Sequence, residues 1–306
     1  MTKGDYYTKE IFTRILEEGT LDKYPRPKYS DGTSAHTLSV NHGMCTYDIT
    51  KNESPMITLR PIAIKSAIGE LLWIYQDESN NLDLLKEKYG VTWWDDWDLG
   101  NRTIGTCYGE TVKKHNLMEE LLWGLKNDCD GRRHIINLWQ NEDFKQPHGL
   151  KPCAFLTVWN VRHGNDGIDY LDMCLFQRSS DFATAGCINQ MQYLVFLYMV
   201  SRHCGYTPGR FTWFYDNIQI YDRHINEVKE MLKREPIDCN PKIILNEDKT
   251  NFYDFSQDDI YLEDYPKKLI RKKNPQLKFD LGIWFFVKKD LHFVYKHKCF
   301  CYNLYV

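Results

Sequence analysis

Residues 168–203 read IDYLDMCLFQRSSDFATAGCINQMQYLVFLYMVSRH, and the fold class follows from this stretch. Its first part, Ile168–Phe176, alternates with Leu171, Met173 and Leu175 on one side and has the bias of a strand. Its last part, Asn189–His203, is apolar nearly all round, the mark of a helix at the centre of a domain. Between them Gln177-Arg178-Ser179-Ser180-Asp181 packs a donor, a cation, two hydroxyls and a carboxylate into five residues. That is a cradle suited to an anion and a polar ligand.

Outward from this centre, strands and helices mix. Helices are expected over residues 7–20 (Ile11, Ile15 and Leu16 on one side), Ala63–Gln76 and Leu117–Asn127. Strands are expected over Thr37–Tyr47, His134–Trp139, Ala154–Val161 and Arg210–Tyr215, and the prolines of Tyr24–Lys28 make a loop. No regular βαβ rhythm appears, so the class is α+β, one domain with a mixed sheet packed by helices. Residues 283–306 differ in character, being aromatic, basic and cysteine-bearing.

The chain has 306 residues, 42% hydrophobic and 26% charged, which suffices for a sizeable core. A net charge of −3 provides no bulk basic field to recruit DNA, so an anionic ligand must be held by local arginines. The N-terminal MTKGDYYTKEIF lacks the apolar core of a signal peptide, and no apolar run reaches the ~20 residues that span a bilayer. The ten cysteines include no CxxC pair. These features lead us to expect a soluble, cytoplasmic protein with free thiols and no membrane or metal partner. The group Cys299, Cys301, His292 and His297 matches no standard zinc spacing.

Some residues invite chemical readings beside structural ones. Cys153 follows Pro152 where a strand begins; it is a nucleophile if cations reach it, and otherwise a packed thiol. Arg132-Arg133, between a helix and a strand, suit phosphate or simply solvate the surface. Asn189 opens the apolar helix, so its amide either caps that helix or complements uracil's imide N–H and neighbouring carbonyl. Glu70 sits beside Leu71 and Leu72, where apolar neighbours should raise its pKa.

In this order, Asp31–Ser39, Glu70–Trp73, Trp93–Trp97, Gly105–Gly109, Gly131–His134, Leu150–Cys153, Gln177–Asp181, Ile220–His224 and Asn251–Phe255 resemble the thymidylate synthase family. The resemblance implies reductive methylation of dUMP to dTMP, with 5,10-methylenetetrahydrofolate giving the carbon and the hydride. It assigns the nucleophile to Cys153, with Glu70, Tyr108 and Arg178 as catalytic partners. Substrate contacts would fall to Arg178, Ser179, Gln177, Asp181, Asn189, Gln219 and Tyr221. Folate contacts would fall to Trp94, Asp181 and Gly186. The family's sheet forms a two-fold dimer interface across which Arg132 and Arg133 would complete the neighbouring site. A dUMP hydroxymethylase on the same scaffold and a catalytically weak nucleotide- or RNA-binding homologue stay open at this level.

The chain departs from the family pattern in places. The family's His-x-Tyr is Gln219-Ile220-Tyr221, the residue after the nucleophile is Ala154 rather than His, and Cys187 lies near the uracil reader. The early phosphate arginine is replaced by Gly32, which makes Arg26 the substitute candidate. Family members commonly end soon after a strand like Leu277–Ile283, with an apolar C-terminus closing over the ligands. We therefore expect a catalytic domain over 1–283 and an extension over 284–306, with the lid either displaced or impaired.

Overall fold

The computed structural model describes residues 1–145 and 150–280. Its centre is a six-stranded sheet in the order β1-β2-β6-β5-β4-β3. The strands are β1 (Thr20–Leu21), β2 (Thr37–Asp48), β3 (Ile135–Asn137), β4 (Ala154–His163), β5 (Asp169–Asp181) and β6 (Thr207–Tyr221). All neighbours are antiparallel except β5 and β6, which run parallel, so the sheet is mixed as expected. Antiparallel β7 (Lys242–Leu245) and β8 (Ile260–Glu263) form a separate pair.

A parallel pair needs a crossover between its strands. Here the crossover is α6 (Cys187–Cys204), which runs through the core with Met191, Leu194, Val195, Leu197 and Val200 buried. Against it packs α2 (Ile64–Tyr75), where Tyr75 stacks on Phe196 with ring centroids 4.2 Å apart. Around these lie α1 (Lys3–Glu18), α3 (Leu82–Tyr89), α4 (Gly109–Lys114), α5 (Leu117–Asn127), α7 (Ile225–Lys233) and α8 (Lys267–Lys273).

On β5 and β6 the inward set Leu171, Met173, Leu175, Phe211 and Trp213 is buried. The opposite face carries half-buried Cys174, Phe176 and Phe214, the two phenyl rings stacked 4.8 Å apart.

Several boundaries differ from the sequence reading. Helix α1 begins at Lys3 because Thr2 caps it, accepting from the Asp5 N–H at 3.0 Å. Strands β5 and β6 run on past their apolar stretches, since each supplies ladder partners for the other's polar end. The strand around His134–Trp139 shrinks to β3, and residues 277–280 join no strand. His148, Gly149 and the Cys299, Cys301, His292 and His297 group lie outside the described residues, as does the boundary at 283. Among the described residues no helix is long and apolar enough to cross a membrane.

Candidate active site

Three strand ends meet where β5 and β6 finish and β4 starts. In the parallel register Ser179 faces Asn217 and Asp181 faces Gln219, while Ala154 pairs with Gln177 across the antiparallel side. Cys153, just before β4, therefore lies beside Arg178 of β5. The Arg178 N–H donates to the Cys153 carbonyl at 2.9 Å, and its guanidinium approaches Cys153 Sγ at 3.5 Å. The same guanidinium donates to the Pro152 carbonyl at 2.8 Å and the Lys151 carbonyl at 2.7 Å. Arg178 thus ties down the segment that carries the thiol.

Burial pushes the Cys153 thiol above its ordinary pKa, and the Arg178 charge opposes that shift without overcoming it. Within one chain, among the described residues, a single guanidinium reaches the sulfur, and burial outweighs it. On the other side the Cys153 N–H donates to Tyr108 Oη at 3.0 Å. Tyr108 has φ +49°, a backbone region a bulky side chain rarely occupies, and it leads directly into α4. The next residue has to be glycine, because a Cβ on Gly109 would lie 2.2 Å from the Ser79 carbonyl oxygen. Burial keeps the phenol neutral, so its O–H proton stays available to a partner beside the thiol.

Glu70 lies on α2 and is 7% exposed. Burial pushes its carboxyl up to about 7, while hydrogen bonds from Gln192 and Trp94 pull the other way. Trp94 Nε1 donates to Oε1 at 2.5 Å and Gln192 Nε2 donates to Oε2 at 2.7 Å. Trp94 also meets the Tyr108 ring edge-on, with centroids 5.4 Å apart. Asn189 occupies the first turn of α6 and caps nothing: Gln177 Nε2 donates to its Oδ1 at 3.1 Å, and its Nδ2 donates to Gln192 Oε1 at 3.2 Å. One donor and one acceptor position on that amide remain for a ligand.

The polar end of the sheet completes the cluster. Ser179 Oγ lies 3.2 Å from the Gln219 amide. Asp181 accepts from Thr184 Oγ1 at 2.5 Å, whereas its Oδ1 is buried with no hydrogen-bond partner among the described residues. That atom stands 3.9 Å from His224 Nδ1, and the His224 ring in turn meets Tyr221 edge-on at 5.4 Å. Gly186 ends a π-helical turn, Phe182–Gly186, in which an added Cβ would strike the Phe182 ring at 2.2 Å.

Other expected residues lie elsewhere or serve the fold. Arg132, Arg133 and Arg26 are exposed, and among the described residues Arg132 and Arg133 make no hydrogen bond or ion pair. Gln177 is 3% exposed, and its amide is engaged by Trp213, Asn189 and the Ser179 carbonyl. Cys187 is buried against Arg60, whose Nη2 reaches its sulfur at 3.1 Å. Sequence reading missed Gln192, Trp213, Arg60 and His224 as parts of the site. Gln192 had a visible signal: an amide inside an apolar helix needs buried partners. One Cys/Asp/His group, Cys129, Asp130 and His163, lies elsewhere on the surface. There both imidazole nitrogens of His163 pair with carboxylates, Asp169 at 2.6 Å and Asp130 at 2.9 Å.

A thiol at a strand end, sharing its surroundings with a carboxyl that titrates near neutrality, is equipped for proton-coupled group transfer; fold and site together define a transferase of the α+β class. Residues 6–276 match the family model described as thymidylate synthase. The chain is 48% identical over 286 residues to the thymidylate synthase of Streptococcus pneumoniae strain 70585, covering 92% of this chain and all of that protein. It is 45% identical over 293 residues to that of Streptococcus thermophilus strain LMD-9, with the same coverage of both chains. Among solved structures, the thermostable thymidylate synthase A from Bacillus subtilis superposes with a TM-score of 0.82 at 33% identity, covering 92% of this chain and 99% of that one. The chain belongs to the thymidylate synthase family. Its reaction is the methylation of dUMP to dTMP, with 5,10-methylenetetrahydrofolate as co-substrate.

Proposed function

We propose that this methylation proceeds through a covalent bond between Cys153 Sγ and carbon six of the dUMP ring. The observation that carries this reading is the placement of the thiol between the Arg178 guanidinium at 3.5 Å and the Tyr108 hydroxyl that holds its backbone. Carbon five of uracil is a weak nucleophile. Sulfur addition at carbon six moves the ring's electron pair to an enolate, and carbon five becomes reactive. The folate, when bound, supplies the one-carbon unit and the hydride. Its polar edge is matched by the unpartnered Asp181 Oδ1, a buried acceptor in need of a donor, with Trp94 as wall and Gly186 at the adjoining turn.

The remaining work falls to this chain's residues. Asn189 accepts from the imide N–H and donates to the adjacent carbonyl, orienting the ring. Glu70 moves a proton at that carbonyl, which its carboxyl is suited to do with a pKa of about 7. Tyr108 assists loss of the carbon-five proton as a neutral hydroxyl, not as a phenolate. When the carbon–sulfur bond breaks, the electron pair returns to sulfur and Cys153 is regenerated.

Arg178 and Ser179 hold the phosphate, with Arg26 at the entrance. Tyr221 and Gln219 hold the sugar, while Gln177 and Asp181 shape the polar floor. In a homodimer packed through the half-buried sheet face of Cys174, Phe176 and Phe214, Arg132 and Arg133 of each protomer reach the other's phosphate. Two further cations near Cys153 would lower the thiol pKa that burial raises in the single chain. The catalytic unit is residues 1–283, followed by an extension over 284–306, and the enzyme works in the cytoplasm.

The test is mass analysis of the Cys153 peptide after incubation with 5-fluoro-dUMP and the folate. Fluorine replaces the hydrogen that must leave carbon five, so the adduct should persist on Cys153. An adduct elsewhere, or none in an active enzyme, would reject the assignment.

A further inference from the structure

Five side chains form one directional chain through the core of the site. Trp213 Nε1 donates to Gln177 Oε1 at 2.9 Å, Gln177 Nε2 to Asn189 Oδ1 at 3.1 Å, Asn189 Nδ2 to Gln192 Oε1 at 3.2 Å, and Gln192 Nε2 to Glu70 Oε2 at 2.7 Å. Gln192 Nε2 also donates to the Ala67 carbonyl at 3.0 Å. From the far side Trp94 Nε1 donates to Glu70 Oε1 at 2.5 Å.

The direction of this chain is not arbitrary. An indole N–H can only donate, and an ionised carboxylate can only accept. Trp213 at one end forces Gln177 to show it oxygen and to turn nitrogen toward Asn189. At the other end the Ala67 carbonyl, which can only accept, and Glu70 when ionised force Gln192 to show them nitrogen and to turn oxygen toward Asn189. Asn189 thus has one amide orientation that satisfies both neighbours. Rotating it by 180° would oppose nitrogen to nitrogen and oxygen to oxygen in a buried setting, where each unmade bond is costly. Gln177, Gln192 and Trp213 are 3%, 4% and 0% exposed, so water offers little relief.

That orientation carries chemical information. Uracil offers a donor at the imide nitrogen and an acceptor at the neighbouring carbonyl; cytosine offers an acceptor and a donor at the same two places. An Asn amide facing one way reads uracil, and the same amide turned over reads cytosine. We infer that Gln192 is a positioning residue that locks the Asn189 amide in its uracil-reading orientation and couples it to the Glu70 carboxyl, so that base discrimination depends on a side chain acting through Asn189. The inference rests on the roles proposed above for Asn189 and Glu70.

The experiment compares Gln192→Met and Gln192→Glu with the unaltered enzyme, measuring dUMP and dCMP affinities by competition and the pH profile of kcat. Methionine keeps the volume but removes all three hydrogen bonds, to Asn189, Glu70 and the Ala67 carbonyl. Its expected effect is a fall of about tenfold in the dUMP-over-dCMP affinity ratio. The acidic limb of kcat should also move to higher pH, because a donor to Glu70 is gone. Glutamate keeps an acceptor toward Asn189 but puts a second carboxyl against Glu70, so the affinity ratio should stay and the limb should still move. The other titratable group facing Glu70 here is the Tyr193 phenol, which burial raises and keeps neutral.

A folded Gln192→Met enzyme with an unchanged affinity ratio and an unmoved limb overturns the inference. Should that variant fail to fold, an unmoved limb in Gln192→Glu overturns it. Failure of the underlying assignments shows separately: Asn189→Asp would leave base preference unaltered, or Glu70→Gln would leave turnover unaltered, whatever Gln192 does.

Discussion

Glu70 and Asn189 lie on different helices and are joined through one side chain: Gln192 donates to the carboxylate at 2.7 Å and accepts from the amide at 3.2 Å. Helices α2 and α6 must therefore cross at one height for Asn189 and Glu70 to share a partner. The stacked Tyr75 and Phe196 rings, and the 2.8 Å contact between the Tyr75 and Tyr193 hydroxyls, hold that crossing. The resulting chemistry can be tested residue by residue.

Cys153→Ser should abolish dTMP formation while leaving dUMP affinity within about tenfold, because the phosphate and uracil contacts survive. Isothermal titration together with a dihydrofolate-release assay measures both. Retained turnover would remove Cys153 from the nucleophile's role.

Asn189→Asp should turn preference toward deoxycytidylate, since a carboxyl accepts from cytosine's amino group and leaves uracil's carbonyl without a donor. Competition binding with dUMP and dCMP reads the change. Unchanged selectivity would mean that another group reads the base.

Tyr108→Phe removes the acceptor of the Cys153 N–H and the hydroxyl beside the thiol. Stability should fall by about 1 kcal/mol in a urea melt, and kcat by about a hundredfold, with KM for dUMP little changed. A raised KM at intact kcat would make Tyr108 a binding group instead.

Burial lifts the Glu70 carboxyl from 4.5 to about 7, so the native state keeps a proton that the unfolded chain releases over that interval. The contribution to stability is present in full below about pH 4.5 and is lost as pH rises through about 7, about 3 kcal/mol in all. Glu70→Gln should therefore show a smaller drop in Tm between pH 5 and pH 8 than the unaltered protein. An identical drop in both would show that the Glu70 carboxyl is not what titrates.

Much of this is legible in the sequence. The alternation of Leu171, Met173 and Leu175 and the all-round apolarity of Asn189–His203 mark a strand feeding a buried helix, and β5 and α6 lie there. The thiol at a strand's start and the Gln177–Asp181 cradle were visible as chemistry at an element end, and Glu70 as a carboxyl inside an apolar helix. The hairpin of β7 and β8 and the short helices α3, α4, α7 and α8 were not singled out, because segments of four to nine residues carry few periods of pattern.

The amino-acid sequence alone determined the central strand and helix and marked Cys153, Asn189 and Glu70 as residues with more than a structural reading, because local pattern and side-chain chemistry are properties of short stretches. Tertiary structure decided that Gln177 and Gln192 face inward as links rather than outward as ligands, and that Arg178 clamps the Lys151 and Pro152 carbonyls. It also set the balance at Cys153, where burial outweighs one nearby cation. Those outcomes depend on which groups meet across a parallel strand pair and two crossing helices far apart in the chain. Hydrogen-bond direction and desolvation are decided only where such distant groups come together.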